Sequence, residues 1–363
     1  MTADRRDQGM TAEGRDHAPS ADRSRDRTPS AEGPDHAPST DRREHATIAD
    51  RREHTATAER LVDVLVVGAG PAGLAAAARL AVAGAGRVEV LEREQQAGGV
   101  PRHCVHRGFG TWTRPLTGPA YARLLVEAAG RTGAVVRTGV TVLDWAGPLS
   151  LATVGERGPE TLTARAVVLA TGARERPRAA RLIPGTRPAG VRTGGELQQA
   201  VHRYRQPIGT RAVVVGAEDV SYAAAATARA GGAEVVAMVT DRPRAASAGA
   251  ALDARLRSRI PLLTRTTVTE ILGHGRLSGV RIRHEDGRTG VLACDTVVFT
   301  GDFVAEDELA RRARIAFTQG PYTDRPGVFA AGGLRQPGQD ARTATREGAR
   351  AGRAVLEWLI SRP

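Results

Sequence analysis

From Leu61 onward, short apolar runs rich in Val alternate with Ala-rich stretches and Gly-marked turns. Short apolar runs bounded by turn residues are typical of strands, and the longer Ala-rich stretches between them are typical of helices. The alternation predicts an α/β fold, and the continuous apolar character of the runs predicts parallel strands buried on both faces. The predicted strands are Val62–Val67, Val88–Leu91, Ala166–Leu169, Ala212–Val215, Val235–Val239, Thr296–Thr300 and Val328–Ala331.

Residues 1–60 follow a different, polar pattern that repeats loosely: DHAPS begins at Asp16 and Asp35, and DRREH begins at Asp41 and Asp50. Such a segment buries too little apolar surface to offset the loss of chain entropy on folding, so we expect a disordered tail. Four histidines recur at the spacing of the repeat, which argues against a metal site; they are His17, His36, His45 and His54.

Composition excludes several functional classes. The chain has 363 residues, which predicts about two domains, and it contains no Lys, so all 52 basic residues are Arg. Enzymes that form a lysine Schiff base and nucleotidases with a lysine-containing phosphate loop are therefore excluded. The net charge of +12 raises the question of nucleic-acid binding, but aromatic residues make up only 3% and the arginines are spread along the chain. We expect no nucleic-acid partner.

The two cysteines, Cys104 and Cys294, are too few for a disulfide framework, and neither belongs to a CxxC pair. The first 60 residues lack the apolar core of a signal peptide, and no later apolar run is long enough to span a membrane. The sequence therefore predicts a cytoplasmic protein without a membrane span or a metal site.

A glycine motif follows the first predicted strand directly: Gly68, Gly70 and Gly73, with Pro71 and Ala72 between the last two. The first glycine allows a tight turn, the second lets the backbone approach a pyrophosphate, and the third lets the helix pack closely on the strand. The pyrophosphate lies over the positive N-terminus of the helix. Glu92, at the end of the next strand, is placed to accept hydrogen bonds from a ribose. The motif predicts a dinucleotide site.

Four motifs in the same order resemble the flavoproteins with two dinucleotide-binding domains, the superfamily of thioredoxin and glutathione reductases: Val62–Gly73 with Glu92, the Gly98–Gly99 pair, Ala170–Gly172, and VFAAG at Val328–Gly332. The resemblance covers Leu61–Pro363 and implies that the first site holds FAD. It implies two Rossmann-like domains, the second inserted in the first: an FAD-binding domain at 61–182 and 301–363, and an NAD(P)-binding-like domain at 183–300. The cofactor-binding residues we assign are Gly68, Gly70, Pro71, Ala72, Gly73, Glu92, Gly99, Val142, Ala170, Thr171, Gly172, Gly332 and Gly333.

Within the superfamily, Gly98–Cys104, Arg176–Gly185 and Asp295–Asp302 look like the flavin-binding subunits of opine, hydroxyproline and cyanide-forming glycine dehydrogenases. Those relatives often carry a Cys-rich C-terminal region for an iron–sulfur cluster. No cysteine follows Cys294 here, so we expect no such cluster at that position. An electron-accepting partner, or a second dehydrogenase subunit, is then expected.

The second glycine motif departs from the superfamily pattern. After Ala212–Val215, Gly216 is retained, but Glu218 stands where bare backbone should meet a pyrophosphate, and Asp219 adds another negative charge. Two unit charges about 4 Å apart near a protein surface interact by about 4 kcal/mol. We therefore expect impaired NAD(P) binding. If binding persists, Asp241 favours a free ribose, whereas Arg242 and Arg244 favour a 2′-phosphate.

The late motif also departs from the pattern, because Gly333 occupies the position at which the superfamily usually has an Asp that hydrogen-bonds the flavin cofactor. One lost hydrogen bond is worth about 1–2 kcal/mol, which weakens flavin retention without abolishing it. A helix from about Asp340 to Leu359 follows, and we expect its positive N-terminus to face the flavin, with Gln336–Thr343 lining that approach.

The candidate catalytic residues lie in the loop after the Gly98–Gly99 pair: Arg102, His103, Cys104 and His106. The arginines and His103 are placed to lower the pKa of the Cys104 thiol or to bind a carboxylate. The alternative is that Cys104 and His106 only pack the loop against the cofactor. Disulfide reduction by a pair of thiols is disfavoured, because a single cysteine lies in this region, and Cys294 is expected to be a small core residue.

These observations favour an FAD-dependent oxidoreductase whose flavin accepts hydride from a small substrate, with an amine or amino acid preferred. Two alternatives stay open: an NAD(P)H-dependent flavoprotein reductase, and a non-catalytic flavin-binding subunit of a larger dehydrogenase. The substrate, the acceptor and the oligomeric state do not follow from the sequence, because one fold supports many reactions.

Overall fold

The computed structural model describes residues 58–111, 113–246 and 259–361. The helices are α1 (Pro71–Val82), α2 (Gly118–Arg131), α3 (Gly194–Gln198), α4 (Asp219–Ala230), α5 (Glu308–Arg312) and α6 (Ala341–Ser361). The strands are β1 (Ala58–Val67), β2 (Val88–Glu92), β3 (Arg107–Gly110), β4 (Pro115–Thr117), β5 (Val135–Thr138), β6 (Thr141–Gly147), β7 (Ser150–Gly155), β8 (Gly158–Leu169), β9 (Ala173–Glu175), β10 (Val191–Thr193), β11 (Arg211–Val215), β12 (Glu234–Val239), β13 (Leu262–Leu263), β14 (Thr266–His274), β15 (Arg276–His284), β16 (Thr289–Ala293), β17 (Thr296–Phe299), β18 (Phe303–Ala305) and β19 (Val328–Ala330). The part of the predicted tail up to residue 57, with its four histidines, lies outside the described residues.

The first sheet has the strand order β5-β2-β1-β8-β7-β6, and β19 also pairs with β8. Strand β8 is long enough to have two partners on the same edge. Its first half pairs antiparallel with β7, and its last three residues pair parallel with β19. The parallel strands have the order β5-β2-β1-β8-β19, and the antiparallel hairpin β6-β7 lies on the same side of β8 as β19, next to the first half of that strand.

Both faces of the first sheet are covered, as the apolar runs predict. Val64 and Val66 of β1 pack into a core shared with α1, α2 and α6, whereas Leu65 and Val67 pack into a second core on the opposite face. This alternation follows from the two-residue period of a strand. Pro71 opens α1, and Gly84, with a φ of +72°, follows its end.

The second sheet is parallel throughout, in the order β10-β17-β11-β12-β13. One face packs against α3 and α4, and the other packs against the antiparallel sheet β14-β15-β16. Cys294 is buried in the core between the second sheet and the antiparallel sheet β14-β15-β16, as expected for a small core residue.

The chain passes between the two parallel sheets through the antiparallel pair β9-β18, in which Glu175 pairs with Phe303. All seven predicted strands are present, and the predicted parallel pairing is confirmed. The α/β class with two Rossmann-like sheets is confirmed as well. The residue boundaries 182/183 and 300/301 stay predictions. Of the described helices, none combines the length and apolar character that crossing a bilayer requires.

Candidate functional site

The candidate site lies at the carboxyl edge of the first sheet, because the register brings the ends of four strands together. Val67 of β1 pairs with Leu91 of β2 and with Leu169 of β8, and Leu169 pairs with Ala330 of β19. The residues that follow these strands therefore meet at one edge. In open parallel sheets this edge is where ligands bind.

The three glycines of the first motif have different surroundings. A Cβ on Gly68, whose φ is +103°, would lie 2.4 Å from the carbonyl oxygen of Ala170, and a Cβ on Gly73 would lie 1.9 Å from the carbonyl oxygen of Gly68. These two glycines are required by backbone packing. Gly70 faces open space, since the nearest atom to its Cβ position is the Cα of Gly99 at 4.0 Å.

The N-terminus of α1 is open to an anion. Gly70 is the N-cap residue, no side chain hydrogen-bonds to this end of the helix, and the first turn contains no acidic residue. Pro71 is the first helical residue, and Ala72 and Gly73 follow within the first turn. Uncapped N–H groups at a helix N-terminus attract phosphate oxygens. The helix N-terminus at which the sequence predicts a pyrophosphate is thus open in the folded chain.

Glu92 is held at the same edge by two backbone N–H groups. Its Oε2 accepts a hydrogen bond from Ala69 N at 2.9 Å, and its Oε1 accepts one from Glu94 N at 3.0 Å. Each carboxylate oxygen has a second lone pair, so this side chain can still accept from a ligand hydroxyl. The ribose contact assigned to Glu92 stays a prediction.

Gly99 lies against the first glycine motif. Its φ is +62°, and a Cβ added to it would lie 2.8 Å from the Cα of Gly70. The neighbouring Gly98 donates its N–H to the carbonyl oxygen of Ala69 at 2.8 Å. A side chain on Gly99 would therefore push the two loops apart at the place where a ligand diphosphate is expected.

Ala170, Thr171 and Gly172 line the same edge beyond β8. Ala170 N donates to Val67 O at 2.8 Å, and the Thr171 hydroxyl donates to the Glu306 carbonyl at 2.6 Å. Val142, also assigned to the cofactor, lies in β6 and packs partly buried against the second core of the first sheet. Its cofactor contact stays a prediction.

Gly332 and Gly333 approach the site from β19. A Cβ on Gly332, whose φ is +76°, would lie 2.7 Å from the Ala72 Cβ, and one on Gly333 would lie 3.2 Å from Ala173 N. Gly333, where the superfamily usually has an Asp, thus lies against the residue that follows Gly172. Both glycines are needed for close packing at this edge.

Two polar side chains lie at this edge: Gln339, which belongs to the range 336–343 expected to line the approach to the flavin, and Glu347, which sequence reasoning missed. Glu347 Oε2 accepts hydrogen bonds from Gly332 N and from Gln339 Nε2, each at 3.0 Å. The Oε1 of Gln339 is buried and has no hydrogen-bond partner among the described residues. A buried acceptor without a donor is costly, so it fits a ligand that supplies an N–H or O–H group. The only sequence signal was a Gln and a Glu flanking the start of a helix.

The N-terminus of α6 is less positive than expected, because Asp340 caps it. The Asp340 carboxylate accepts from the N–H groups of Arg342 and Thr343, each at 2.9 Å, and from the Thr343 hydroxyl at 2.7 Å. Partial burial opposes ionisation, but these hydrogen bonds prevail and lower the pKa of Asp340. The Asp340 carboxylate thus offsets part of the positive potential of this terminus, and the expectation that the terminus faces the flavin stays a prediction.

Cys104 is a buried, protonated thiol. Its Sγ donates to Gln198 Oε1 of α3 at 3.2 Å. Burial raises the pKa of the Cys104 thiol to about 11, and the hydrogen bond to Gln198 offsets only part of that rise. The expectation that neighbouring cationic residues lower this pKa is wrong, because burial dominates and the nearby Glu175 carboxylate raises the pKa further.

The other candidates of this loop are placed as follows. The Arg102 guanidinium forms an ion pair with Glu94 and donates to Gln96 Oε1 at 3.3 Å, so it is not a free carboxylate clamp. Burial and the Arg102 charge lower the pKa of His103, which favours a neutral imidazole. His106 lies 5.4 Å from the ring of Phe109, between centroids. Catalytic roles for these residues stay predictions.

The second glycine motif is filled by its own side chain. Glu218 is the N-cap residue of α4, and its Oε2 accepts from Ala217 N and from the Ser221 hydroxyl, each at 3.1 Å. Its Oε1 lies 3.2 Å from the Nη2 of Arg242. Arg242, expected to meet a 2′-phosphate, pairs with this carboxylate instead. The N-terminus of α4 thus already carries an anion, and a pyrophosphate in the standard position would have to displace it.

The fold and the first site define an FAD-dependent oxidoreductase. The residues at the open N-terminus of α1, the space at Gly70 and the unpartnered Gln339 oxygen fit the cofactor. The family model of the pyridine nucleotide-disulphide oxidoreductases matches residues 62–348, and the chain belongs to this family.

Relatives and solved structures agree with this assignment. The chain is 31% identical over 316 residues to a thioredoxin reductase of Mycolicibacterium smegmatis, covering 82% of this chain and 96% of that protein. It is 28% identical over 255 residues to the alpha subunit of a sarcosine oxidase from Rhizobium meliloti, covering 66% of this chain but only 24% of that relative. A thioredoxin reductase structure from T. acidophilum superimposes with a TM-score of 0.70 at 21% identity, covering 83% of this chain and 99% of that one.

Proposed function

We propose that this chain is an FAD-dependent dehydrogenase that takes hydride from a small amine or amino acid and passes the electrons to a separate acceptor. The observation that carries the proposal is the contrast between the two helix N-termini. The start of α1 is open, whereas the start of α4 is occupied by the Glu218 carboxylate. One dinucleotide seat is available and the other is filled.

The filled seat argues against NAD(P)H as the electron donor. A pyrophosphate at the start of α4 would have to displace Glu218 from Ala217 N, Ser221 and Arg242, and would then lie near its negative charge. Asp219 in the first turn adds to the repulsion. Anions at a helix N-terminus are stabilised by the helix, so the bound carboxylate competes directly with any phosphate.

The environment of Cys104 argues against disulfide reduction. That chemistry needs a thiolate and a second thiol nearby, whereas the Cys104 thiol faces Gln198, and the other cysteine, Cys294, is buried in the core of the second sheet. The high pKa of Cys104 keeps the thiol protonated at neutral pH. The remaining class of reaction is one in which the substrate gives hydride directly to the flavin.

Two relatives support a substrate that is an amine or amino acid. One is the sarcosine oxidase chain, and the other is a chain of the opine oxidase of Agrobacterium tumefaciens, which is 34% identical over 151 residues. Sarcosine and opines are amino-acid derivatives with a secondary amine. Bound FAD would supply the hydride-accepting ring, while α1, Glu92 and Gln339 hold and orient it.

The experiment compares electron donors with the purified holoenzyme under anaerobic conditions. We expect the visible flavin band to bleach with sarcosine or with an opine, and to stay unchanged on the same timescale with NADH and NADPH. Rapid bleaching by either pyridine nucleotide, with no response to amines, would establish the NAD(P)H-dependent reductase instead. Colourless protein that does not take up added FAD would refute both.

A second candidate function is a flavin-binding subunit of a larger dehydrogenase. It is favoured because the chain spans about a quarter of its sarcosine oxidase relative and 29% of its opine oxidase relative, both named as parts of assemblies. Turnover of an amine by the isolated chain with an artificial acceptor distinguishes the two, since a non-catalytic subunit shows none.

A cytoplasmic location stays a prediction from the sequence.

A further inference from the structure

Helix α6 carries a row of arginines on its exposed side. Arg342, Arg346, Arg350 and Arg353 are all exposed, and at 3.6 residues per turn they fall within about 80° of the helix circumference and span about 16 Å. Arg79 of α1 is exposed beside them, because a Cβ on Gly352 would lie 3.1 Å from the Arg79 Cβ. These five residues are called the α6 arginine surface below.

Within the described part of the chain, no acidic side chain forms an ion pair with any member of the α6 arginine surface. Like charges three and four residues apart destabilise a helix. The Asp340 charge attracts Arg342 at the start of the helix, and Arg346 Nη2 donates to the Thr343 hydroxyl at 3.1 Å, but the other arginines of the surface have no such contact within the described residues. Helix α2 shows the opposite arrangement: Glu127 lies 4.0 Å from Arg123 and 3.7 Å from Arg131.

The surface is fixed rigidly next to the flavin site. The buried side of α6 packs on α1 so closely that a Cβ on Gly348 would lie 1.9 Å from the Ala72 carbonyl oxygen. One residue earlier, Glu347 of the same helix accepts from Gly332 N at the edge where FAD is expected. A partner that docks on the exposed side of α6 would therefore lie against a helix that also contacts the edge where FAD is expected.

We infer that the α6 arginine surface docks the acidic face of an electron-accepting protein. The inference rests on the proposed function, in which electrons leave by a separate acceptor. A compact patch of unpaired positive charge accelerates association with an oppositely charged surface and gives the encounter a strong salt dependence. Charge complementarity selects the acidic partner, and the position beside Glu347 selects a redox partner.

The experiment bypasses the amine substrate, so that its failure is distinct from failure of the proposed function. The holoenzyme is photoreduced anaerobically and mixed in a stopped-flow instrument with an acidic blue-copper protein or with a basic c-type cytochrome. For each enzyme molecule, two copper(II) centres accept one electron each, and two protons pass to solvent. At low salt we expect the acidic blue-copper protein to be reduced about tenfold faster than the basic cytochrome. At high salt we expect this difference in rate to vanish.

The test variant is Arg346→Glu/Arg353→Glu, and the matched control is Arg123→Glu/Arg131→Glu, which changes the net charge equally on another exposed helix. Only the α6 double variant should reduce the acidic acceptor at least about fivefold more slowly than the wild type, and it should reduce the basic acceptor faster. If it loses flavin or folds poorly, Arg346→Gln/Arg353→Gln replaces it, with a smaller effect in the same direction.

Equal rates for both pairs of substitutions would overturn the inference. It would also be overturned if the acidic acceptor were insensitive to the α6 substitutions while a short duplex DNA bound the wild type and not the variant, because the surface would then be a polyanion site. An effect on the acidic acceptor that is confined to the α6 variants supports the inference, whatever the outcome with amines.

Discussion

The Glu218 carboxylate lies 3.2 Å from the guanidinium of Arg242, measured from Oε1 to Nη2, at the first turn of α4. The equivalent turn of α1 has no side-chain cap and no acidic residue. The two helices follow parallel strands in the same way, yet only the N-terminus of α1 is free of a side-chain anion. On this electrostatic difference rests the proposal that the chain binds FAD but not NAD(P)H.

Replacing Glu218 should open the second seat. We expect Glu218→Gly to bind NADH about tenfold more tightly than the wild type, or roughly 1.4 kcal/mol, because a competing anion is removed while Asp219 remains. Isothermal titration calorimetry measures this affinity without requiring turnover. Glu234→Gly, at an exposed carboxylate paired with Arg211, is the control. Unchanged NADH affinity in Glu218→Gly would mean that the carboxylate does not block the seat.

An acidic side chain at Gly70 should abolish flavin binding. Gly70→Glu places a negative charge in the open space at the N-terminus of α1, where a diphosphate is expected. The visible absorbance relative to protein absorbance after gel filtration gives the occupancy, which we expect to fall to the background. Gly130→Glu is the control, since a side chain at that helical position meets no atom within 4 Å. Full occupancy in Gly70→Glu would disprove the assignment of the site.

Contact between α1 and α6 leaves no room for a methyl group. We expect Gly348→Ala to lower the free energy of unfolding by about 1–3 kcal/mol, because its Cβ would lie 1.9 Å from the Ala72 carbonyl oxygen. Urea titration followed by circular dichroism measures the change. Gly130→Ala should be neutral or stabilising, since its Cβ meets nothing and Ala favours the helix. A Gly348→Ala protein as stable as the wild type would show that the helices can separate freely.

Cys104 should be unreactive and dispensable for catalysis. Its pKa of about 11, against an ordinary value of 9.0, predicts alkylation by iodoacetamide roughly a hundredfold slower than for an ordinary thiol at neutral pH. Cys104→Ser should keep amine oxidation within about threefold, because the hydroxyl can replace the thiol as donor to Gln198. Loss of activity with retained flavin would show that the thiol takes part in the reaction.

The same pKa predicts a pH dependence of stability. The folded state holds the proton more tightly than the unfolded chain, so the stabilising effect is complete below about pH 9 and is lost as the pH rises from 9 through 11. Over this range the wild type should lose more stability than Cys104→Ser, as measured by urea titration at each pH. If the wild type and Cys104→Ser lost stability equally as the pH rose, the thiol pKa would not be raised.

A buried carboxylate stabilises the first sheet at the end opposite the site. Glu89 is fully buried, and it forms ion pairs with Arg60 and Arg87, each at 2.7 Å. We expect Glu89→Gln to cost about 1–3 kcal/mol in unfolding free energy, because the partly exposed Arg60 and Arg87 lose a charged acceptor and the amide keeps only one acceptor oxygen. Glu234→Gln, at an exposed pair, should cost less than about 1 kcal/mol. Equal costs would mean that Glu89 is solvated.

The Glu89 pair also contributes a pH dependence of the opposite sign. Burial opposes its ionisation, but hydrogen bonds and charges from Arg60 and Arg87 prevail and lower its pKa below 4.5. Its stabilising effect is therefore present above pH 4.5 and is lost as the pH falls below it. The wild type and Glu89→Gln should converge in stability in acid, which thermal melts can follow.

Local sequence was sufficient to predict the parallel strands and the first dinucleotide seat. Gly73 is required by a contact with Gly68, close to it in the chain, and such contacts produce a recognisable spacing, whereas Gly68 itself meets Ala170, which only the folded sheet brings beside it. Glu218 was identified as an obstacle for the same reason, since it stands within a motif whose spacing is fixed.

Only the tertiary structure decided the ionisation of Cys104 and the partners of Glu218, Gln339 and Asp340. The sequence places cationic residues beside Cys104, but the thiol turns towards Gln198, far away in the chain, where burial and the Glu175 carboxylate both raise its pKa. The order of strands and helices follows from local propensities and from the period of apolar residues, and both can be read from consecutive positions of the sequence. Burial and hydrogen-bond partners depend on distant segments packed together, and this is why the site chemistry required the folded chain.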